Sequence, residues 1–129
     1  MNENKMHLIS KIFNNETIRT VWDNDEEKYY ISIIDIVSII SESKDGRKYW
    51  NKLKQRLKQE GNELVTNCHQ LKLKAQDGKY RMTDVCDIEG MFRIIESIPS
   101  KNAEPIKQWL AHLGKEKIYE TRLNKNQMD

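Results

Sequence analysis

A small α+β domain is what the sequence predicts, on three observations. Two stretches, 17–31 and 70–83, have the composition of β-hairpins; apolar residues recur at helical intervals between and after them; and 129 residues suffice for one core but not for two ordinary domains. The expected order is hairpin, two helices, hairpin, then two or three helices, segregated elements rather than a parallel βαβ sheet. Hydrophobic residues at 37% and charged residues at 33% imply a modest core beneath a heavily charged surface.

Residues 1–16 show no steady period and are expected to form a loosely held lead-in with at best a short strand around His7 to Phe13, so that the domain spans 17–120 and 121–129 fray. Ile18, Thr20 and Trp22 then alternate with Arg19 and Val21, DNDEE supplies a turn, and Tyr29, Tyr30 and Ile31 resume a strand. Ser32, with Asp35 three residues on, has the spacing of an N-cap box, and Ile33, Ile36, Val37 and Ile40 follow at helical intervals. Ser43 or Asp45 caps a second helix, Lys44 to Glu60, whose Tyr49, Trp50, Leu53 and Leu57 form one apolar stripe, with Gly61 as its stop. The turn Gln76-Asp77-Gly78 joins Gln70–Ala75 to Lys79–Thr83 as the second hairpin, because Asp-Gly readily takes the positive backbone angle of a tight turn. Asp87 caps a helix with Ile88, Met91, Phe92, Ile95 and Ile98 on one face, ended by Pro99. A Ser100 or Asn102 cap, with Pro105 in the first turn, opens the helix of Ile106, Trp109, Leu110 and Leu113; Gly114 is expected to break it, with one or two further turns at Ile118, Tyr119 and Leu123.

The formal net charge is only +2, yet its distribution is uneven. Between Lys44 and Lys58 seven cations face one acid, Asp45, a net of +6 on one helix. Every one of these cations lies off the apolar stripe. A helix of this diameter fits the DNA major groove, and a preceding helix joined by a short turn resembles the two-helix element of DNA readers. Lys48, Lys52, Lys54 and Lys58 are suited to phosphates, where they would release counterions; Arg47, Asn51, Gln55 and Arg56 are types that pair with base edges. Lys72, Lys74, Lys79 and Arg81 place a second basic cluster on the hairpin, arranged as a wing or arm along a backbone. Both clusters also have plain alternatives, a solvated lysine-rich helix face and an edge strand guarded by lysine against unwanted pairing.

Other chemistry finds little support. Cys68 and Cys86 form no CxxC motif and are expected to remain thiols; Cys68-His69 with a distant Cys86 lacks the paired spacing of a zinc site, so no metal and no cofactor are expected. His7 and His112 have no carboxylate partner evident in the sequence. Nucleophile elbow, zinc-protease motif and phosphate loop are all missing, and Asp84, Asp87 and Glu89 read as caps and first-turn acids of the following helix, so no enzymatic role is expected. No run of about 20 apolar residues exists to span a bilayer, and MNENKMHLIS lacks a secretory apolar segment, which points to a soluble cytoplasmic protein with no membrane partner.

Four motifs stand in order: RKYWNKLKQRL (Arg47 to Leu57), NCHQLKLKAQDGKYRMTDV (Asn67 to Val85), EGMFRIIESIP (Glu89 to Pro99) and AEPIKQWLAHLGKEKI (Ala103 to Ile118). Together they resemble the BRO amino-terminal (Bro-N) family, and among its members prophage antirepressors and DNA-damage-inducible proteins of the D type. The likeness covers roughly Thr17 to Glu120. It implies a small α+β domain of phage and large DNA virus proteins, regarded as DNA-binding and often fused to a variable carboxy-terminal domain; the chain is then either a short stand-alone member or part of a longer protein. The resemblance does not identify contact residues, which rest on charge and spacing alone.

Two functions are expected to compete. In the first, a transcriptional regulator binds duplex DNA through the basic helix and hairpin, with a homodimer suiting two-fold sites. In the second, an antirepressor titrates a phage or host repressor protein without touching DNA, through an aromatic patch that includes an exposed Trp50 or Trp109.

Overall fold

The computed structural model describes residues 6–61, 63 and 68–127, with the side chains of 6–10, 12 and 117–127 outside the description. Among the described residues five strands, β1 (Met6–Phe13), β2 (Glu16–Asp23), β3 (Lys28–Ser32), β4 (His69–Lys74) and β5 (Tyr80–Cys86), join one antiparallel sheet in the order β1-β2-β3-β5-β4. The α+β class holds and both expected hairpins form, at 16–32 and 69–86, but they share one sheet. The first hairpin is a three-stranded meander, and the second is welded to it.

Strand β1 (Met6–Phe13) pairs along its whole length with β2 (Glu16–Asp23), from Met6↔Asp23 to Phe13↔Glu16. Asn14 and Asn15 make the turn, both with positive φ, 48° and 66°, a conformation that asparagine tolerates better than most residues. The strand expected around His7 to Phe13 is therefore eight residues long. Strand β2 continues into β3 (Lys28–Ser32) around Asp23, whose buried Oδ1 accepts from the backbone N–H of Asp25 and Glu26. Strands β4 (His69–Lys74) and β5 (Tyr80–Cys86) form the second hairpin across Gly78, at φ 84°. Only Val85 and Cys86 of β5 pair with β3, against Ser32 and Ile31. The rest of the hairpin runs on past the point where β3 gives way to helix.

That helix, α1 (Ile33–Ser41), begins at Ser32, whose Oγ accepts from the Asp35 N–H as the cap spacing predicts. Helix α2 (Gly46–Gln59) begins at Asp45, whose carboxylate accepts from the Lys48 N–H, and stops at Gly61, φ 70°. Gly46 sits against α1: a Cβ there would lie 1.8 Å from Ser38 Oγ, so only glycine lets the two helices approach this closely. Helix α3 (Ile88–Glu96) is capped by Asp87 onto the Gly90 N–H. Ser100 donates to the Ile40 carbonyl at 2.6 Å, fastening the turn ahead of α4 (Ala103–Gln127) to the end of α1.

Helix α4 runs unbroken for 25 residues through Gly114, which corrects the expected break. A Cβ at Gly114 would stand 3.3 Å from Ile88 Cδ1, so the glycine serves packing between α3 and α4. The expected helical turns around Ile118, Tyr119 and Leu123 belong to this one helix, although their side chains lie outside the description, as do residues 1–5 and 128–129.

The four helices cover one face of the sheet. Ile18, Tyr29, Ile31 and Cys86 of the strands pack with Ile33, Ile36, Val37 and Ile40 of α1, Trp50, Leu53 and Leu57 of α2, Met91, Ile94 and Ile95 of α3 and Ile106, Leu110 and Leu113 of α4. Ile88 and Phe92, expected on the inner face of α3, are only partly buried against this core. On the opposite face Val21, Tyr30, Leu73 and Val85 close a second, smaller cluster, so β2 is buried on both sides. No helix among the described residues is long and apolar enough to cross a membrane.

Candidate nucleic-acid interface

Helix α2 buries Trp50, Leu53 and Leu57 and presents three rows of polar side chains. Lys48, Lys52 and Gln55, four and three residues apart, form the outermost row and are all exposed. Arg47, Asn51, Lys54 and Lys58 form a flank beside Trp50. Arg56 falls on the other flank, where its guanidinium donates to the Ser97 carbonyl at 3.1 Å and lies 3.9 Å from Glu60.

Lys54 fixes which way its flank faces. Its Nζ stands 2.9 Å from Oδ2 of Asp84 on β5, and the same oxygen accepts from the Trp50 indole N–H at 2.8 Å, while Oδ1 accepts from the Gln70 amide at 2.9 Å. Burial pushes the Asp84 pKa up, but the donors from Trp50, Lys54 and Gln70 outweigh it and hold the carboxyl below its ordinary value. Lys54 also lies 5.8 Å from the Trp50 ring centroid. Asp84 is thus the peg between α2 and the hairpin. The sequence had placed it with Asp87 and Glu89 as a helix-terminus acid; only those two occupy that position, Asp87 as cap and Glu89 in the first turn.

A second tether holds the hairpin near its turn. Arg19 on β2 clasps Asp35 through its backbone N–H at 2.8 Å and its guanidinium at 2.9 Å, and donates to the Lys74 carbonyl at 3.1 Å. Beside this second tether an open groove of about 710 Å³ is lined by Arg19, Asp35 and Arg47 together with Lys74, Asp77, Arg81 and Thr83 of the hairpin. The helix cluster, Arg47 to Lys58, and the hairpin cluster, Lys72 to Arg81, 14 to 34 residues apart in the chain, therefore meet across this groove through Arg47, Lys74 and Arg81.

The hairpin divides its own cations. Pairing of Lys72 with Met82 and Lys74 with Tyr80 puts these four on one face, with Gln70 and Asp84, toward α2. Arg81 pairs with Leu73 on the other face and forms an ion pair with Asp77, and Lys79 lies in the turn. Of the twelve residues singled out in the sequence, Lys54, Arg56 and Arg81 hold partners within the fold. The cations Arg47, Lys48, Lys52, Lys58, Lys72, Lys74 and Lys79 are exposed and have no side-chain partner among the described residues.

Elsewhere Cys68 and Cys86 are not joined by a disulfide, and burial pushes the Cys68 pKa up to about 11 and that of Cys86 well above its ordinary value. Among the described residues no group of three or more His, Cys, Asp or Glu could hold a metal ion. His112 does have a carboxylate partner, Glu116 one turn on at 3.0 Å, on an exposed helix face. Trp50 is buried, and Trp109 is half-buried edge-on to Phe13, which removes the first from any docking surface.

No curated protein and no solved structure matches the chain. Residues 17–117, however, match the family described as BRO family, N-terminal domain, and with more than three quarters of its length accounted for the chain belongs to that family.

Proposed function

We propose that this Bro-N domain is a non-enzymatic, DNA-binding transcriptional regulator of the phage antirepressor type, acting in the cytoplasm on duplex DNA through α2 and the β4–β5 hairpin. The observation that carries the reading is that α2 and the hairpin, each bearing exposed cations, are pegged together through Asp84 and share a groove lined by Arg47, Lys74 and Arg81. Helix α2 presents Lys48, Lys52 and Gln55 outward, a row that can lie in a major groove, while the hairpin beside it reaches the neighbouring backbone. The field of such a surface attracts a polyanion even though the whole chain is nearly neutral.

The test is fluorescence anisotropy on a labelled duplex across a salt series, with the parent and a Lys48→Glu, Lys52→Glu, Lys58→Glu triple variant. All three lysines are exposed and have no partner among the described residues, so the variant should fold; Lys54 is left intact because it holds Asp84. If they meet phosphates, affinity falls by orders of magnitude and the salt slope flattens by about 3. Unchanged affinity removes α2 from the interface.

A further inference from the structure

Tyr80 and Met82 are the two large apolar side chains left exposed among the described residues, at 65% and 53%. They stand two apart on β5, hence side by side on one face, and each is directly opposite a lysine, Tyr80 beside Lys74 and Met82 beside Lys72. This part of the hairpin lies beyond the end of β3, so its β5 edge is unpaired there, while its other face packs on the body through Leu73. The face of Tyr80 and Met82 is the one they share with Gln70 and Asp84, whose carboxylate bonds Trp50 and Lys54 of α2.

Isolated exposed hydrophobics are ordinary, but two adjacent ones interleaved with cations on one exposed hairpin face make a combined surface. The lysines favour an anionic partner, and the apolar pair needs something in that partner to bury against. Duplex DNA offers both at once only when a base step is opened, because stacked bases hide their faces. The minor groove is also about 6 Å wide, too narrow for a two-stranded ribbon unless a kink opens it.

Resting on the DNA-binding reading above, we infer that Tyr80 and Met82 form an apolar wedge that the hairpin inserts at a base step of the minor groove, kinking the duplex while Lys72 and Lys74 hold the flanking phosphates. The wedge side chains contact bases and α2 occupies the adjacent major groove. Discrimination between sites then comes partly from how easily a step unstacks, with TA and CA/TG steps favoured.

The experiment uses the full chain and a duplex of about 20 base pairs with a central TA step, labelled at both ends for energy transfer, with affinity read in parallel by anisotropy. The parent should bring the ends together, as expected for a bend of about 20–90°. A Tyr80→Ala, Met82→Ala double variant should lose the end-to-end change and bind the duplex roughly tenfold more weakly, a loss comparable to about 1.4 kcal/mol. On the same duplex opened by a central mismatch the gap to the parent should widen, because the parent keeps its base contacts at a smaller unstacking cost. Tyr80→Phe with Met82→Leu keeps the apolar bulk and should keep the bend. Both side chains are exposed, so the variants should melt with the parent.

If the parent binds the duplex and leaves it straight, or the alanine variant still bends it, the wedge is refuted while the DNA-binding reading stands. If the parent binds no duplex at low salt, both fall. If the alanine variant instead converts a dimer to a monomer in a sizing measurement with DNA affinity unchanged, the patch is a protein interface and the wedge is wrong.

Discussion

Replacing Asp84 by alanine should cost this domain about 2–3 kcal/mol. The carboxylate, its side chain 12% exposed, accepts from Trp50, Lys54 and Gln70. Trp50 is 1% exposed, so its indole N–H has no water to turn to, and a stranded buried donor costs about 1–3 kcal/mol. Lys54, with its side chain 32% exposed, can swing into solvent, so losing that ion pair adds only about 0–1 kcal/mol. Urea unfolding followed by tryptophan fluorescence is the assay; a slope of about 1–3 kcal/mol per molar converts the loss into a midpoint lower by about 1 M or more. Asp84→Asn, which keeps an acceptor for the indole but not the charge, should lose about half as much. The charge-dependent part has a definite sign with pH. A carboxyl held below its ordinary value of 3.8 adds stability that is complete above that value and vanishes as pH falls through the depressed folded one. The gap between parent and Asp84→Asn should therefore narrow as the pH falls below 3.8. A midpoint for Asp84→Ala indistinguishable from the parent, or a gap indifferent to acid, would refute the peg.

Gly46→Ala should destabilise by about 1–3 kcal/mol in thermal melts, because the new Cβ meets Ser38 Oγ at 1.8 Å and Ser38 Cβ at 3.0 Å. Adding Ser38→Ala should restore part of the loss by removing the nearer clash, and no recovery would deny the contact between α1 and α2. Asp87→Ala removes the acceptor of the Gly90 N–H at 2.8 Å and should cost about 1 kcal/mol, with hydrogen exchange rising in the first turn of α3; unaltered exchange there would show that the cap is dispensable.

What the sequence made legible and what it hid separate by reach along the chain. Ser32, Asp45, Asp87 and the Asp77-Gly78 turn act on backbone within about four residues, and each does what its spacing predicts. The Asp84 bonds span 34, 30 and 14 residues, and no local period marks them. The single sheet was hidden for the same reason, since it hangs on two pairings between β3 and β5. Strand β1 had a local signal, the Asn14-Asn15 turn, but asparagine pairs occur in loops as readily as in hairpins. At the interface, charge patterning marked the cations correctly as off the apolar stripe, yet could not distinguish Lys52, which faces solvent, from Lys54, which is bound inside the fold. Nor could composition show that Tyr80 and Met82 share a face with Lys74 and Lys72; that follows from register alone.

The division of cations sets a ceiling on how steeply DNA binding can respond to salt. Arg47, Lys48, Lys52 and Lys58 of α2 with Lys72, Lys74 and Lys79 of the hairpin are the charges of this surface free to replace counterions. At about 0.9 per phosphate contact, one copy of the chain engaging all seven gives a slope of log K on log salt near −6. A fit that puts Tyr80 and Met82 into the minor groove and Lys48 and Lys52 into the major groove uses most of the seven, so a single domain should fall between about −4 and −6. A steeper slope requires cations from a second copy, and would be the signature of a dimer on a two-fold site. A slope flatter than about −1 would mean that no more than one phosphate is met. In that case the convergence of helix and hairpin serves packing alone, and the nucleic-acid reading fails with it.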